Sequence, residues 1–249
     1  SVSGISISST RSGLVVEEAD DVTLDDLSIA GVGNFAIKTT NSENTTLSYL
    51  SLVGNGDGAI QIDTGSAQIY ASTLIGNYGT AVDILAATVE LTFSEITDTI
   101  ATDPSNPTDG FGVHVDDGGS LISASNVYAN NVLMNVQSES GSLSLTDDSV
   151  IGSMSTGVWI EGTGDLILNN VTLEDNLIYG IIAQNTGSIT LENVSLSVDS
   201  TLSPSINVEE WNDQGLQSMG FFTNNSSDVS LTTVSVTGYN NCGTFIQKD

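Results

Sequence analysis

Basic residues are almost missing from this chain. Its 249 residues include three, Arg11, Lys38 and Lys248, against 31 Asp and Glu, which leaves a net charge of −28. Such a surface repels nucleic acid, anionic membranes and, without a bridging cation, any polyanionic glycan. Cysteine is down to one residue, Cys242, so no internal disulfide can form, though a bond to another chain remains open. Proline occurs only three times, and 6% of residues are aromatic. No apolar run approaches the roughly 20 residues of a membrane-spanning helix, so direct membrane insertion is not expected. The chain starts on a strand-like segment, Val2 to Ile7, with no visible leader, so a mature or excised form is expected. Near absence of lysine and thin aliphatic strands favour a secreted or cell-surface setting. The sequons at Asn44, Asn170, Asn193, Asn224 and Asn225 add little to that in so Ser/Thr/Asn-rich a chain.

What is present is alternation. The stretch Gly180 to Leu196 holds an apolar pair (Ile181, Ala183), a polar turn (Thr186 to Ser188), a second pair (Ile189, Leu191), a break at Glu192-Asn193 and a third pair (Val194, Leu196). Apolar residues at every second position mark short strands with one inward face, and no segment has helical spacing. The same paragraph recurs from Gly157 and from Gly220. Set on the middle strand, the copies read Val22/Leu24, Thr45/Leu47, Ile69/Ala71, Leu91/Phe93, Ile122/Ala124, Leu143/Leu145, Leu166/Leu168, Ile189/Leu191 and Val229/Leu231. The usual step is 21 to 24 residues, with two long ones of 31 and 40. Three strands and three turns per step make one coil of a solenoid. Parallel crossovers are right-handed in nearly all cases. The expected fold is therefore all-β: a single-stranded right-handed parallel β-helix of about ten coils, forming one domain over residues 1–249. At about 4.8 Å per coil the rod would be about 45–50 Å long.

First strands are expected at Leu14/Val16, Phe35/Ile37, Ile60/Ile62, Val82/Ile84, Val113/Val115, Met134/Val136, Val158/Ile160, Ile181/Ala183, Phe221/Thr223 and Thr244/Ile246. Asn or Gly stands before most of them: Gly33-Asn34, Asn55-Gly56, Asn77, Asn130-Asn131, Asn176, Asn240-Asn241. These residues tolerate left-handed backbone, and stacked asparagines bond from coil to coil.

This pattern, with its Asn-bearing turn and glycine-opened strand, resembles the parallel β-helix repeats of the pectate-lyase-like superfold. The resemblance covers nearly the whole chain and implies the fold. It leaves function open, because lyases, glycosidases, adhesins, phage spikes and autotransporter passengers share it. The Asn-Thr-Asp, Asp-Asp, Gly-His-Gly and Arg-Ile-Lys motifs of polygalacturonase-like enzymes are not matched as a set.

Both long steps fall at one turn, between the third strand of a coil and the first of the next. They make insertions at 98–110 and 198–219 that direct attention to the first-strand face. Its outward column reads Val15, Ala36, Gln61, Asp83, His114, Asn135, Trp159, Ile182, Phe222, Phe245. The middle gathers Asp63, Asp83, His114 and Asp116 around the chain's single histidine. Carboxylates one or two coils apart span glycosidase separations, which makes these the catalytic candidates of an enzyme reading, with His114 as helper or metal ligand. No basic residue is read into the cluster, unlike pectate-lyase-like enzymes, which use Arg or Lys as base. The far end, Trp159, Ile182, Phe222 and Phe245 with Trp211 in the second insertion, offers an apolar patch for a ligand or an interface, unless that insertion folds over it as a lid. Paired acids at Asp20-Asp21, Asp25-Asp26, Asp116-Asp117 and Asp147-Asp148 raise Ca²⁺ as a cofactor, with Asp116 and Asp117 as metal candidates. Neither terminus shows a capping helix, which suggests pairing between copies through the terminal coils.

The primary expectation is thus a non-catalytic extracellular solenoid, structural, adhesive or self-assembling, with other copies, surface glycans or proteins as partners. The alternative is a carbohydrate-active or carbohydrate-binding β-helix using the Asp63/Asp83/His114/Asp116 face.

Overall fold

A computed structural model describes residues 1–103, 108–199, 218–240 and 242–247. Every strand pairing in it is parallel, and the described residues contain no helix. Among the described residues, therefore, no helix is long and apolar enough to cross a membrane. Third strands stack into a 10-stranded sheet, while first and second strands together form a 17-stranded sheet. The chain is a parallel β-solenoid of about ten coils, as the alternation predicts.

First and second strands merge because the corner between them is turned by few residues. In three consecutive coils they run on as Phe35–Ser48, Gly58–Tyr70 and Thr80–Thr92. Each of these bends where one or two residues take left-handed angles: Asn41 and Asn44, Thr64 and Gly65, Ala86. The corner between second and third strands is turned the same way. Asp26, Tyr49, Ala71, Phe93, Ser125, Asp147, Asn170, Asn193 and Thr233 all have φ between +47° and +59°. Asp and Asn visit this region at little cost, which explains the polar break of the repeat. Ser125 and Thr233 keep the break polar without that preference, and Tyr49, Ala71 and Phe93 are apolar or aromatic in three neighbouring coils. There the aromatic rings of Tyr49, Tyr70 and Phe93 stack edge to face on the outside at 5.7 Å spacings.

Those residues also explain a correction of register. Strand pairing aligns Leu24, Leu47, Ile69, Leu91, Ser123, Leu145, Leu168, Leu191 and Leu231. The inward pairs of three coils are therefore Ala67/Ile69, Val89/Leu91 and Leu121/Ser123, two residues or one earlier than the apolar pattern suggests. Phe93 and Ile122 are exposed, whereas Ser123 is buried. An outward aromatic and an inward serine each counterfeit the opposite face.

Inside the coils, aliphatic columns form one continuous core from Val16 to Phe221. Glycines open several first strands where space is short: Gly58, Gly112 and Gly157 lie against the backbone of the next coil, and at Gly180 and Gly220 a third-strand side chain also passes beneath. A Cβ on Gly220 would lie 2.1 Å from Val236 Cγ1, and one on Gly180 would lie 2.5 Å from Leu196 Cδ2.

Two polar ladders run through this core. In the first, each side chain after the second corner accepts the backbone N–H of the coil before it. Ser72 serves Leu50, Ser94 serves Ser72, Asn126 serves Ser94, and Asp148 serves Asn126 at 2.7 Å. Asp148 also accepts the Ser123 hydroxyl at 2.7 Å, and that oxygen meets the buried Tyr128 hydroxyl at 2.6 Å. In the second, Asn55 Nδ2 donates to Asn77 Oδ1 at 2.8 Å, and farther along Asn131, Asn135 and Asn176 join. The coil-to-coil bonding expected of these asparagines is present, but left-handed backbone is not their reason. Only Asn130 among the described members of those turns has positive φ, and Asn241 lies outside the described residues.

Candidate functional site

Register fixes which side chains share the outward face of the first strands. Pairing runs Val15, Lys38, Gln61, Asp83, His114, Gln137, Trp159, Ile182, Phe222, Phe245. Two expected members drop out. Ala36 and Asn135 are buried, and their places belong to Lys38 and Gln137. The cause is the same in both coils: Thr39 and Ser138 occupy inward positions, so the true inward pairs, Ile37/Thr39 and Val136/Ser138, are half polar. A basic residue therefore does stand in the column, next to Gln61.

At the centre the side chains hold one another. Gln61 Nε2 donates to Asp83 Oδ2 at 2.8 Å, and the other Asp83 oxygen meets His114 Nδ1 at 2.9 Å. Phe111, on the same strand, stacks on the imidazole with ring centroids 5.6 Å apart. On the far side His114 Nε2 lies 3.7 Å from Glu139 Oε1, which also accepts from Gln137 Nε2 at 3.2 Å. Asp116 accepts from the Ser140 hydroxyl at 2.9 Å and sits within the same cluster.

Partial burial works against charge on His114, but the hydrogen bond to Asp83 and the fields of Asp83, Glu139 and Asp116 outweigh it. The His114 pKa is held above its usual 6.5. This contribution to stability is complete below the unfolded value and is lost as pH rises through the higher folded value. With a single histidine in the chain, NMR titration reads it without ambiguity. Asp83→Asn is expected to lower the midpoint, because burial then faces weaker opposition; an unchanged midpoint would mean that the two side chains do not pair in solution.

The structure thus gathers Asp83, His114 and Asp116 and adds Glu139 and Gln137, while Lys38 stands in the same column beyond Gln61. Asp63 stands apart: it shares a row with Asp116, but Leu85 of the intervening coil separates them. Asp117 is exposed in a left-handed turn and does not join the cluster. Asp148 faces the core rather than a stack of surface carboxylates. Glu139 had a recoverable signal, since it follows Ser138, the partner of Val115, as Asp116 follows Val115.

Beside the cluster lies an open depression of about 500 Å³ lined by Gln137, Glu139, Trp159, Glu161, Gly162 and Asn185. The apolar end of the column is less open than the sequence suggests. Ile182 is buried with Ile178, Tyr179 and Met219, and Trp159 and Phe222 are half-buried. Phe245 is exposed and stacks on Phe222 with centroids 5.5 Å apart. Trp211 lies outside the described residues, as do 104–107 and 200–217 of the two insertions. At the base of the first insertion, Asp109 accepts both the backbone N–H and the hydroxyl of Thr102.

No known protein family matches the chain, and no curated protein matches it. Among solved structures it is similar to the crystal structure of the periplasmic alginate epimerase AlgG. That similarity covers 92% of this chain and 74% of that one, at 11% identity and a TM-score of 0.40. Two mutant forms of the same epimerase align at TM-scores of 0.32 and 0.26. At such identity no residue of one chain is assigned to a residue of the other.

Proposed function

We propose that the first-strand face is a carbohydrate-recognition surface that takes an extended, electrically neutral polysaccharide, in an exported protein. The observation that carries this reading is the Lys38–Gln61–Asp83–His114–Gln137 row, which runs at coil spacing to Trp159 and the open depression. Amide, carboxylate and imidazole groups offer the paired donors and acceptors that sugar hydroxyls require. Gln61, Asp83 and His114 are already fixed by mutual hydrogen bonds, so little side-chain freedom remains to be lost on binding. Trp159 adds a half-buried apolar plate with a polar handle. The net charge of −28 selects against polyuronates and sulfated glycans.

Affinity electrophoresis and calorimetry against a panel of neutral and acidic polysaccharides test this. A neutral glycan should bind, and Trp159→Ala should weaken it by about 30-fold, the worth of an aromatic anchor of about 2 kcal/mol. Ile167→Ser, on the second-strand face, should leave binding unchanged. Release of reducing ends that disappears in Asp83→Asn would extend the reading from binding to cleavage. No glycan binding, together with end-to-end association of copies, would replace it with a self-assembling structural module.

A further inference from the structure

The cluster has a second property that the glycan reading neither uses nor needs. One ligating atom each of His114, Asp116 and Glu139 lies within 4.8 Å of the others. The imidazole is oriented for coordination: Asp83 occupies Nδ1 at 2.9 Å, which turns Nε2 towards Glu139. A histidine ligand held by a carboxylate on its second nitrogen is the usual outer-shell arrangement of metal sites.

An independent observation comes from Gln137. The residue is 7% exposed and its amide Nε2 donates to Glu139, yet Oε1 of the same amide has no hydrogen-bond partner. An unsatisfied buried oxygen on the amide that bonds Glu139 is one that a cation or its bound water would satisfy. Glu139 is 56% exposed on its side chain and is free to swing in and close the set.

We infer that His114, Asp116 and Glu139 bind one divalent transition-metal ion of the Zn²⁺ or Mn²⁺ class, with Asp83 as the positioning residue behind His114. The donor set decides the class. One imidazole nitrogen with two carboxylates suits borderline ions at about 2.0–2.2 Å, whereas Ca²⁺ prefers six or more oxygens. Of the three ligands, Glu139 also lines the open depression.

Calorimetry with Mn²⁺, Zn²⁺ and Ca²⁺ on chelator-treated protein, without any glycan, tests the site apart from the proposed function. One equivalent of Mn²⁺ or Zn²⁺ should bind, and Mn²⁺ should broaden the His114 imidazole signals selectively. Glu139→Gln and Asp116→Asn should each weaken binding by at least tenfold. Asp83→Asn should keep the stoichiometry and weaken binding about 10- to 100-fold, as outer-shell changes do. Cys242→Ser should bind zinc as the parent does. Thermal unfolding of the metal-free variants identifies any that fails to fold; exposed Glu139 makes Glu139→Gln the safest. The inference is overturned by unchanged affinity in Glu139→Gln, by Ca²⁺ binding as tightly as Mn²⁺, or by zinc binding that vanishes with Cys242.

Discussion

Asp148→Asn is expected to abolish a pH dependence of about 3 kcal/mol in the stability of this protein. Asp148 is 2% exposed, and burial pushes its pKa up to about 6 despite the bonds from Ser123 and Asn126. In the unfolded chain the same group titrates near 3.9. Between those values the native state holds a proton that the unfolded state lacks, so stability falls as pH rises through the window and is flat outside it. A gap of about two pKa units corresponds to about 3 kcal/mol. Urea unfolding from pH 3.5 to 7.5 measures it. The many surface carboxylates add their own slope to both proteins, and the difference between parent and Asp148→Asn cancels it. Parallel curves would show that the carboxyl is already solvated or unprotonated in the native state. Tyr128, whose hydroxyl pKa burial and Asp148 drive well above its usual value, stays neutral throughout.

Asn176→Ala should cost about 3 kcal/mol or more, because it strands several partners at once. Asn176 Oδ1 accepts from the Ser153 backbone at 3.2 Å, from its hydroxyl at 2.9 Å and from Asn135 Nδ2 at 3.0 Å. Its own Nδ2 donates to the Val150 carbonyl at 2.9 Å. In a chain of this size the loss would lower the melting temperature by about 6–12 °C. Asn34→Ala, at an exposed turn, should stay within about 0.5 kcal/mol. Equal effects at the two positions would mean that the internal ladder carries no net stability.

Both predictions rest on inward polar residues; Asn176 was legible as one of the stacked asparagines, but polar residues inside the strands themselves were concealed. Alternation of Val, Ile and Leu made the solenoid and its three-strand coil legible, because each apolar pair must face the same interior. It failed wherever the interior is polar. Thr39, Ser123 and Ser138 are buried, so the nearest apolar residues seemed to be the inward ones, and the register slipped. That slip removed Lys38 and Gln137 from the face, brought in the buried Ala36 and Asn135, and hid Glu139. His114 and Asp83 were found because Val82/Ile84 and Val113/Val115 are wholly aliphatic pairs. The mutual support of Asp83, His114 and Glu139 needed the strand pairing itself, since these residues are 31 and 25 positions apart along the chain.

Uniform register has a consequence for how this molecule could change. Where steps are 22 or 23 residues, one coil can be excised or duplicated between equivalent corners without rewriting the pairing rules of its neighbours. Length then varies in quanta of about 4.8 Å. The Lys38-to-Trp159 row behaves as a graduated scale: each coil adds one outward side chain and one interval. On the proposed glycan reading, a repeating ligand would be read by the count of intervals it spans, and adding a coil between Asp83 and His114 would alter that count while breaking the hydrogen bond that holds imidazole Nδ1.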